Sequence, residues 1–456
     1  MSTQTTLRRS CLASMVIALA VVDLAAAAPR GPRVERLRRM VVIGDSVFAG
    51  FMSGGLVARH QKFSAPAQLA RRAGVKLSQP LMSGGGVPPP LRIADRDDDG
   101  ALDRAEVRRG TASVGFRSAP GRRVRNLAVP GEDIASVFER VDLEDAFSSG
   151  DGRDVLKFLI LGLQLRDDSV SQLTQAEELS PSFLLVWLGN NDVLTMATRT
   201  NPERVELTPA AFGVEYRRFL DRLAATGADM AVGNLPDVTQ IAALRGPGDE
   251  VTGCRMPGGV VVPAAPDWLV RLDLEESDLP VPDCTNVLDA AEQATVRATI
   301  AAFNAEIAAA IAETEVARGI TIAPVDIFTL FDEVAATGYD VRGDGSLVLT
   351  TDYLGGIFSL DGYHPSRTGH ALIANAFIDA INQRFGEAIV PVDVGAVARR
   401  DRLVNNRYRP AGEPPFGVIA EVDAEVEDAL DDALDEVGDA LDELLDDIED
   451  FFDDLF

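Results

Sequence analysis

The chain has 456 residues, with 43 Lys and Arg against 71 Asp and Glu, a formal net charge of −28. A composition that is 46% hydrophobic and 25% charged supplies a full core and excludes wholesale disorder, a collagen-like chain and a polytopic membrane protein. The acidity argues against a general nucleic-acid binder, because phosphate backbones reward Lys and Arg. It is also uneven: residues 417–456 hold 18 acidic residues and no Lys or Arg, which leaves −10 for the remainder.

Residues 1–28 read as an export signal. Arg8 and Arg9 form a basic start, residues 11–28 are apolar apart from Asp23, and Ala25 to Ala28 are small enough for cleavage. The run barely reaches the roughly 18 residues a bilayer span needs, and Asp23 breaks it, which favours cleavage over an anchor. The basic stretch Arg30, Arg33, Arg36, Arg38 and Arg39 keeps the anchor open, and Arg8–Arg9 leaves a twin-arginine signal open. No other stretch reads as long and apolar enough to span a bilayer. A secreted or periplasmic protein is expected. Cys11 falls in the signal, so Cys254 and Cys284 remain. In an oxidising compartment they read as one disulfide, stabilising by roughly 3–4 kcal/mol; two free thiols are the alternative.

Five short apolar runs follow in the mature chain: 40–43, 124–129, 183–188, 230–235 and 320–325. Run 183–188 (FLLVWL) is apolar throughout, as a strand buried on both faces requires. Helical spacing fills 210–226 and 286–318, the latter stopping at Gly319. The alternation predicts an α/β fold, a three-layer α/β/α sandwich of about five parallel strands. In such sheets ligands bind beyond the C-terminal strand ends. Two insertions interrupt the pattern, at about 79–123 and about 245–285, the second holding both mature cysteines.

The first insertion contains DRDDDGALDRAE, which looks like an EF-hand calcium loop. Asp95, Asp97 and Asp99 alternate, Gly100 supplies the sharp turn and Ala101 a carbonyl. Asp103 ligates directly or through water, and Glu106 is placed to be bidentate. Pro88 to Pro90 preclude a long entering helix and Gly110 shortens the exiting one, so a lone structural calcium loop is expected. The alternative is a solvated acidic turn.

Chemistry-bearing residues stand at the strand ends. Run 40–43 leads into Gly44-Asp45-Ser46, placing a hydroxyl at the sheet edge and its N–H near a helix start, where negative charge is stabilised. The second run ends at Gly131, where the backbone can approach a substrate. The third ends in Gly189-Asn190-Asn191-Asp192, with an amide to donate and an Asp suited to capping. Asp361 precedes His364 by three residues, close enough to accept its ring N–H and leave the other nitrogen for Ser46. His60 and His370 read as structural.

Together, GDSVFAG at Ser46, NLAVPG ending at Gly131, GNND around Asn191 and DGYHPS around His364 resemble the SGNH (GDSL-type) hydrolases, over roughly residues 38–390. The bacterial-looking GNLPDVT at 233–239 agrees with this, and Val47 departs from the namesake Leu without chemical consequence. The resemblance implies a flavodoxin-like hydrolase domain at 38–398. It implies Ser46 as nucleophile, His364 as base, Asp361 as its orienter, and an oxyanion hole from Ser46, Gly131 and Asn191. It also implies a small-molecule or lipid ester as substrate, with no cofactor needed for catalysis. A carbohydrate esterase or acyltransferase on the same fold stays open, as does a non-catalytic calcium-dependent surface protein.

Residues 399–416 read as a linker. Beyond it, apolar positions from Val422 to Leu455 recur at steps of three and four, predicting an acidic amphipathic helix over 417–456. Lacking cations, it is expected to dock on its own domain, another copy or a basic partner; a solubilising tail helical only in part is the alternative.

Overall fold

The structure, a computed structural model, describes residues 33–93, 107–110, 115–148, 152–162, 170–198, 207–246, 252–256, 258–271, 283–284 and 287–406. The expected signal at 1–28, the calcium-like loop with Asp95, Asp97, Asp99, Ala101, Asp103 and Glu106, and the acidic segment 417–456 lie outside them.

Four parallel strands form the central sheet: β1 (Met40–Gly44), β2 (Phe183–Trp187), β3 (Asp229–Gly233) and β4 (Ile322–Val325), in that spatial order. Every residue of β1 and β2 is buried, which explains their unbroken apolar runs. Register sets Met40 against Phe183 and Leu184 against Met230, which in turn faces Ile322. The expected fifth strand, 124–129, runs beside β1 but joins it through one parallel bridge, Val42 to Asn126. Gln172 is the physical reason. Leu127 N and Val129 N do donate to the Val42 and Gly44 carbonyls, but Gly44 N, the donor a second bridge needs, gives to Gln172 Oε1 (3.0 Å) instead. With this segment included, the order by sequence is 2-1-3-4-5, a doubly wound arrangement.

The described helices cover both faces. The labels used are α1 (Ser46–Ala49), α2 (Ala65–Arg72), α3 (Gly152–Leu161), α4 (Gln172–Glu178), α5 (Asn190–Thr198), α6 (Pro209–Ala224), α7 (Ala290–Arg318), α8 (Ile327–Thr337) and α9 (Arg367–Phe385). Helices α4 to α7 pack together on one side; α2, α8 and α9 pack on the other. Helix α7 begins with a capping box at Asp289 and Glu292 and ends at Gly319, whose φ of +66° is left-handed. It is long and apolar enough to cross a bilayer, contrary to the expectation from sequence. Its Val296, Ile300, Phe303 and Ile307 face is buried, with Phe303 stacked on Phe212 of α6 at 4.0 Å. On the other side of the sheet Phe48 meets Trp187 and Phe377 at 5.6 and 5.2 Å.

Strand β4 is an edge of this sheet. Its Pro324 is exposed and has no N–H, as an edge tolerates. The Ile322 N–H, on the same side, donates to the Glu315 carboxylate (2.7 Å), and Arg384 Nε donates to the Ile322 carbonyl (3.2 Å).

In the second insertion, Cys254 and Cys284 form a disulfide. Leu269–Arg271 pairs there with Leu244–Arg245 and Val287–Leu288 in a small antiparallel sheet. In the first, Leu91–Ile93 pairs with Val107–Arg109. The expected linker at 399–416 needs correction at its start. Val394–Arg400 and Arg402–Asn406 are helical, Val404 is buried, and buried Asp401 accepts from Thr368 N (2.9 Å) and Oγ1 (2.8 Å). These contacts tie residues 401–404 to the start of α9 rather than leaving them as spacer.

Candidate active site

Beyond the C-terminal ends of β1 and β2 lies a pocket lined by Ser46, Asn191 and His364, with a mainly apolar wall that includes Val47, Leu194 and Phe331. Ser46 is the first residue of α1, which Asp45 caps by accepting from Val47 N (3.0 Å). The turn needs Gly44, because a Cβ there would stand 2.7 Å from the Trp187 carbonyl. The second Asp45 oxygen accepts from Asn190 Nδ2 at 2.8 Å. Burial pushes the Asp45 carboxyl up to about 6, against these two hydrogen bonds and the pull of His364.

Asp361 is gathered by five donors, among them Ser359 Oγ, which reaches Oδ1 at 3.2 Å. Tyr363 N and His364 N each reach Oδ1 at 2.9 Å; Gly54 N reaches Oδ2 at 2.5 Å and His364 Nδ1 at 2.9 Å. Burial raises this carboxyl, but the neighbouring imidazole and the hydrogen bonds from His364 and Tyr363 outweigh it and hold Asp361 below the usual carboxylate range. The Gly54 donor is delivered by a left-handed turn in which even Ser53 has φ +53°. That turn is pinned by Ser53 N to Ser359 Oγ (2.7 Å) and by Leu360 N to Ser53 Oγ (3.3 Å). Nδ1 is thus engaged by Asp361, leaving Nε2 for a proton from outside. Phe51 packs on the His364 ring at 4.7 Å.

Gly131 follows segment 124–129 with φ +82°, a left-handed conformation that favours glycine. It is not among the residues lining the pocket, which distinguishes it from Ser46, Asn191 and His364. Asn191 nevertheless joins the two regions, since its Nδ2 donates to the Glu132 carbonyl at 2.7 Å. A side-chain amide carries two N–H groups, so one remains for a ligand. Asp192 caps a neighbour rather than its own helix, accepting from Ile134 N (3.1 Å). Burial, then Asp133, raises its carboxyl well above the ordinary value. His60 and His370 are driven to about 3 by burial, and His370 Nδ1 accepts from Ala65 N (3.3 Å). Neither is among the residues lining the pocket.

Sequence reasoning missed the supporting residues. Asp45 lay inside a quoted motif and Glu132 directly after one. Lys157 was visible only as a cation among the apolar residues of α3, and Gln172 not at all.

A protein-family model described as GDSL-like lipase/acylhydrolase matches residues 40–377. No curated protein matches the chain. Among solved structures, an alpha/beta hydrolase enzyme from the metagenome of Lake Arreo, Spain, is 14% identical, with a TM-score of 0.31 over 75% of this chain and 93% of that one. An extracellular lipase from Streptomyces rimosus is 12% identical, with a TM-score of 0.30 over 76% of this chain and 98% of the other.

Proposed function

Because the chain belongs to the GDSL-like lipase/acylhydrolase family, and is therefore a hydrolase of ester bonds, we propose that it is an exported serine esterase working through an acyl-enzyme. The observation that carries this reading is that Ser46 lines the same pocket as His364, whose Nδ1 is held by Asp361. Ser46 Oγ attacks the ester carbonyl while His364 Nε2 takes its proton. The tetrahedral oxyanion is met by the N–H groups of Ser46 and Gly131 and by the Asn191 amide. Collapse expels the alcohol, which leaves with the proton from His364, and the acyl group stays on Ser46. Water then repeats the sequence, giving up a proton to His364 and releasing the acid.

The apolar lining suits an acyl chain better than a sugar. The Cys254–Cys284 bond and the apolar residues 11–28 support export. In the test, a fluorophosphonate probe labels Ser46, and Ser46→Ala abolishes both labelling and hydrolysis of p-nitrophenyl esters, by at least about 10⁴ in kcat. Full activity in contaminant-free Ser46→Ala protein defeats the reading. A panel running from acetyl to long-chain esters, with acetylated sugars alongside, separates acyl esterase from carbohydrate esterase.

A further inference from the structure

We propose that the buried Glu132–Lys157 ion pair is the positioning element of the oxyanion hole, an inference that rests on the donor roles given above to Ser46, Gly131 and Asn191. The two side chains are 1% and 2% exposed and meet at 2.9 Å. Glu132 follows Gly131 directly, and its contacts reach the other two donor segments. Its main-chain carbonyl takes the Asn191 amide at 2.7 Å. Its Oε2 takes Gln172 Nε2 at 3.0 Å. Gln172, fully buried at the start of α4, clasps the end of β1. Its Nε2 donates to the Gly44 carbonyl (2.9 Å) and its Oε1 accepts from Gly44 N (3.0 Å), two residues before Ser46.

Lys157 and Ser136 hold the other carboxylate oxygen. Ser136 Oγ donates to Glu132 Oε1 at 2.6 Å, and Lys157 Nζ also donates to the Ser136 carbonyl at 2.7 Å. One residue therefore ties together the three segments that would have to converge on a developing negative charge.

Two charges buried for stability alone are a poor choice, since packed apolar residues commonly do as well or better. What a hydrogen-bonded pair supplies is direction. The carboxylate can be satisfied only with Lys157, Ser136 and Gln172 in place, so its own backbone, including Gly131, is held in one setting. Oxyanion donors act through such preorganisation, and displacement by about 1 Å costs on the order of 10² in rate.

The test is the double variant Glu132→Gln/Lys157→Met, which removes both charges at similar volume. A folded double variant should lose about 10- to 100-fold in kcat with KM within twofold. Its affinity for an alkyl boronic acid, whose tetrahedral adduct on Ser46 places an oxygen where the oxyanion forms, should fall by the same factor. Gln172→Leu, which leaves both charges, is read by the same criteria where the double variant does not fold. A folded variant with kcat and boronate affinity within twofold of wild type overturns the inference, as does a loss carried by KM alone. Either result leaves the esterase reading intact, because that reading fails separately if wild-type Ser46 is not labelled.

Discussion

Asp361 and Glu132 are both buried carboxylates with several donors, yet they are built in opposite ways. Asp361 draws on its own loop and one neighbouring turn: its donors are Ser359 Oγ, Tyr363 N, His364 N, the His364 ring and Gly54 N. It faces a single imidazole and can pass on an electrostatic effect as that ring gains a proton. Glu132 is held by Ser136 of its own turn and by Lys157 and Gln172 from two other parts of the chain, and its carboxylate does not line the pocket. One carboxylate is tuned to a changing charge; the other is locked by a constant one. Exchanging a charge for an amide should therefore hurt the first site in the chemical step and the second in geometry.

The largest effect that tests this contrast is Asp361→Asn. The amide no longer favours the ring tautomer that leaves Nε2 basic, so kcat should fall by about 10⁴ while the fold survives. A loss below tenfold, with unfolding monitored by circular dichroism, would erase the difference between the two carboxylates. Next comes Asn191→Ala, which removes the proposed oxyanion donor and a tether to the Glu132 carbonyl at once. Its kcat should drop by about 10²–10³ with KM little changed. Steady-state kinetics showing only a KM effect would move Asn191 from the oxyanion to substrate binding.

The smallest effect concerns Asp45, a third buried carboxylate that has hydrogen bonds but no cation paired with it in the site. Its pKa is raised to about 6 from 3.8, so the folded state prefers it protonated. The stability it contributes is full below the unfolded value and is lost as pH rises through about 6. Denaturant unfolding should show wild type losing about 2 kcal/mol relative to Asp45→Asn between pH 4 and pH 8. Equal slopes would mean Asp45 is ionised throughout that range.

The same contrast explains what could be seen in the chain beforehand. Asp361 and His364 lie three apart, so a local motif displays their chemistry. Runs 40–43 and 183–188 display their strands because burial on both faces leaves no polar position. Segment 124–129 shows the limit: it is apolar enough for a strand, but Gly44 N, which a second bridge would use, donates to the Gln172 side chain from 128 positions away. Glu132, Lys157 and Gln172 stayed hidden because their meaning arises only when α3 and α4 fold against β1. No spacing along the chain records that meeting. The ordering of residues 401–404 was hidden likewise, since it depends on Thr368 receiving Asp401 from 33 positions away.

The dressed margin of β4 has a consequence for crowding. An open strand invites a neighbouring molecule to extend the sheet, and the invitation is strongest where donors and acceptors alternate freely. At Ile322 and Pro324 one donor is already given to Glu315, the other does not exist, and a carbonyl is covered by Arg384. Molecules meeting along this flank find few backbone groups to zip onto.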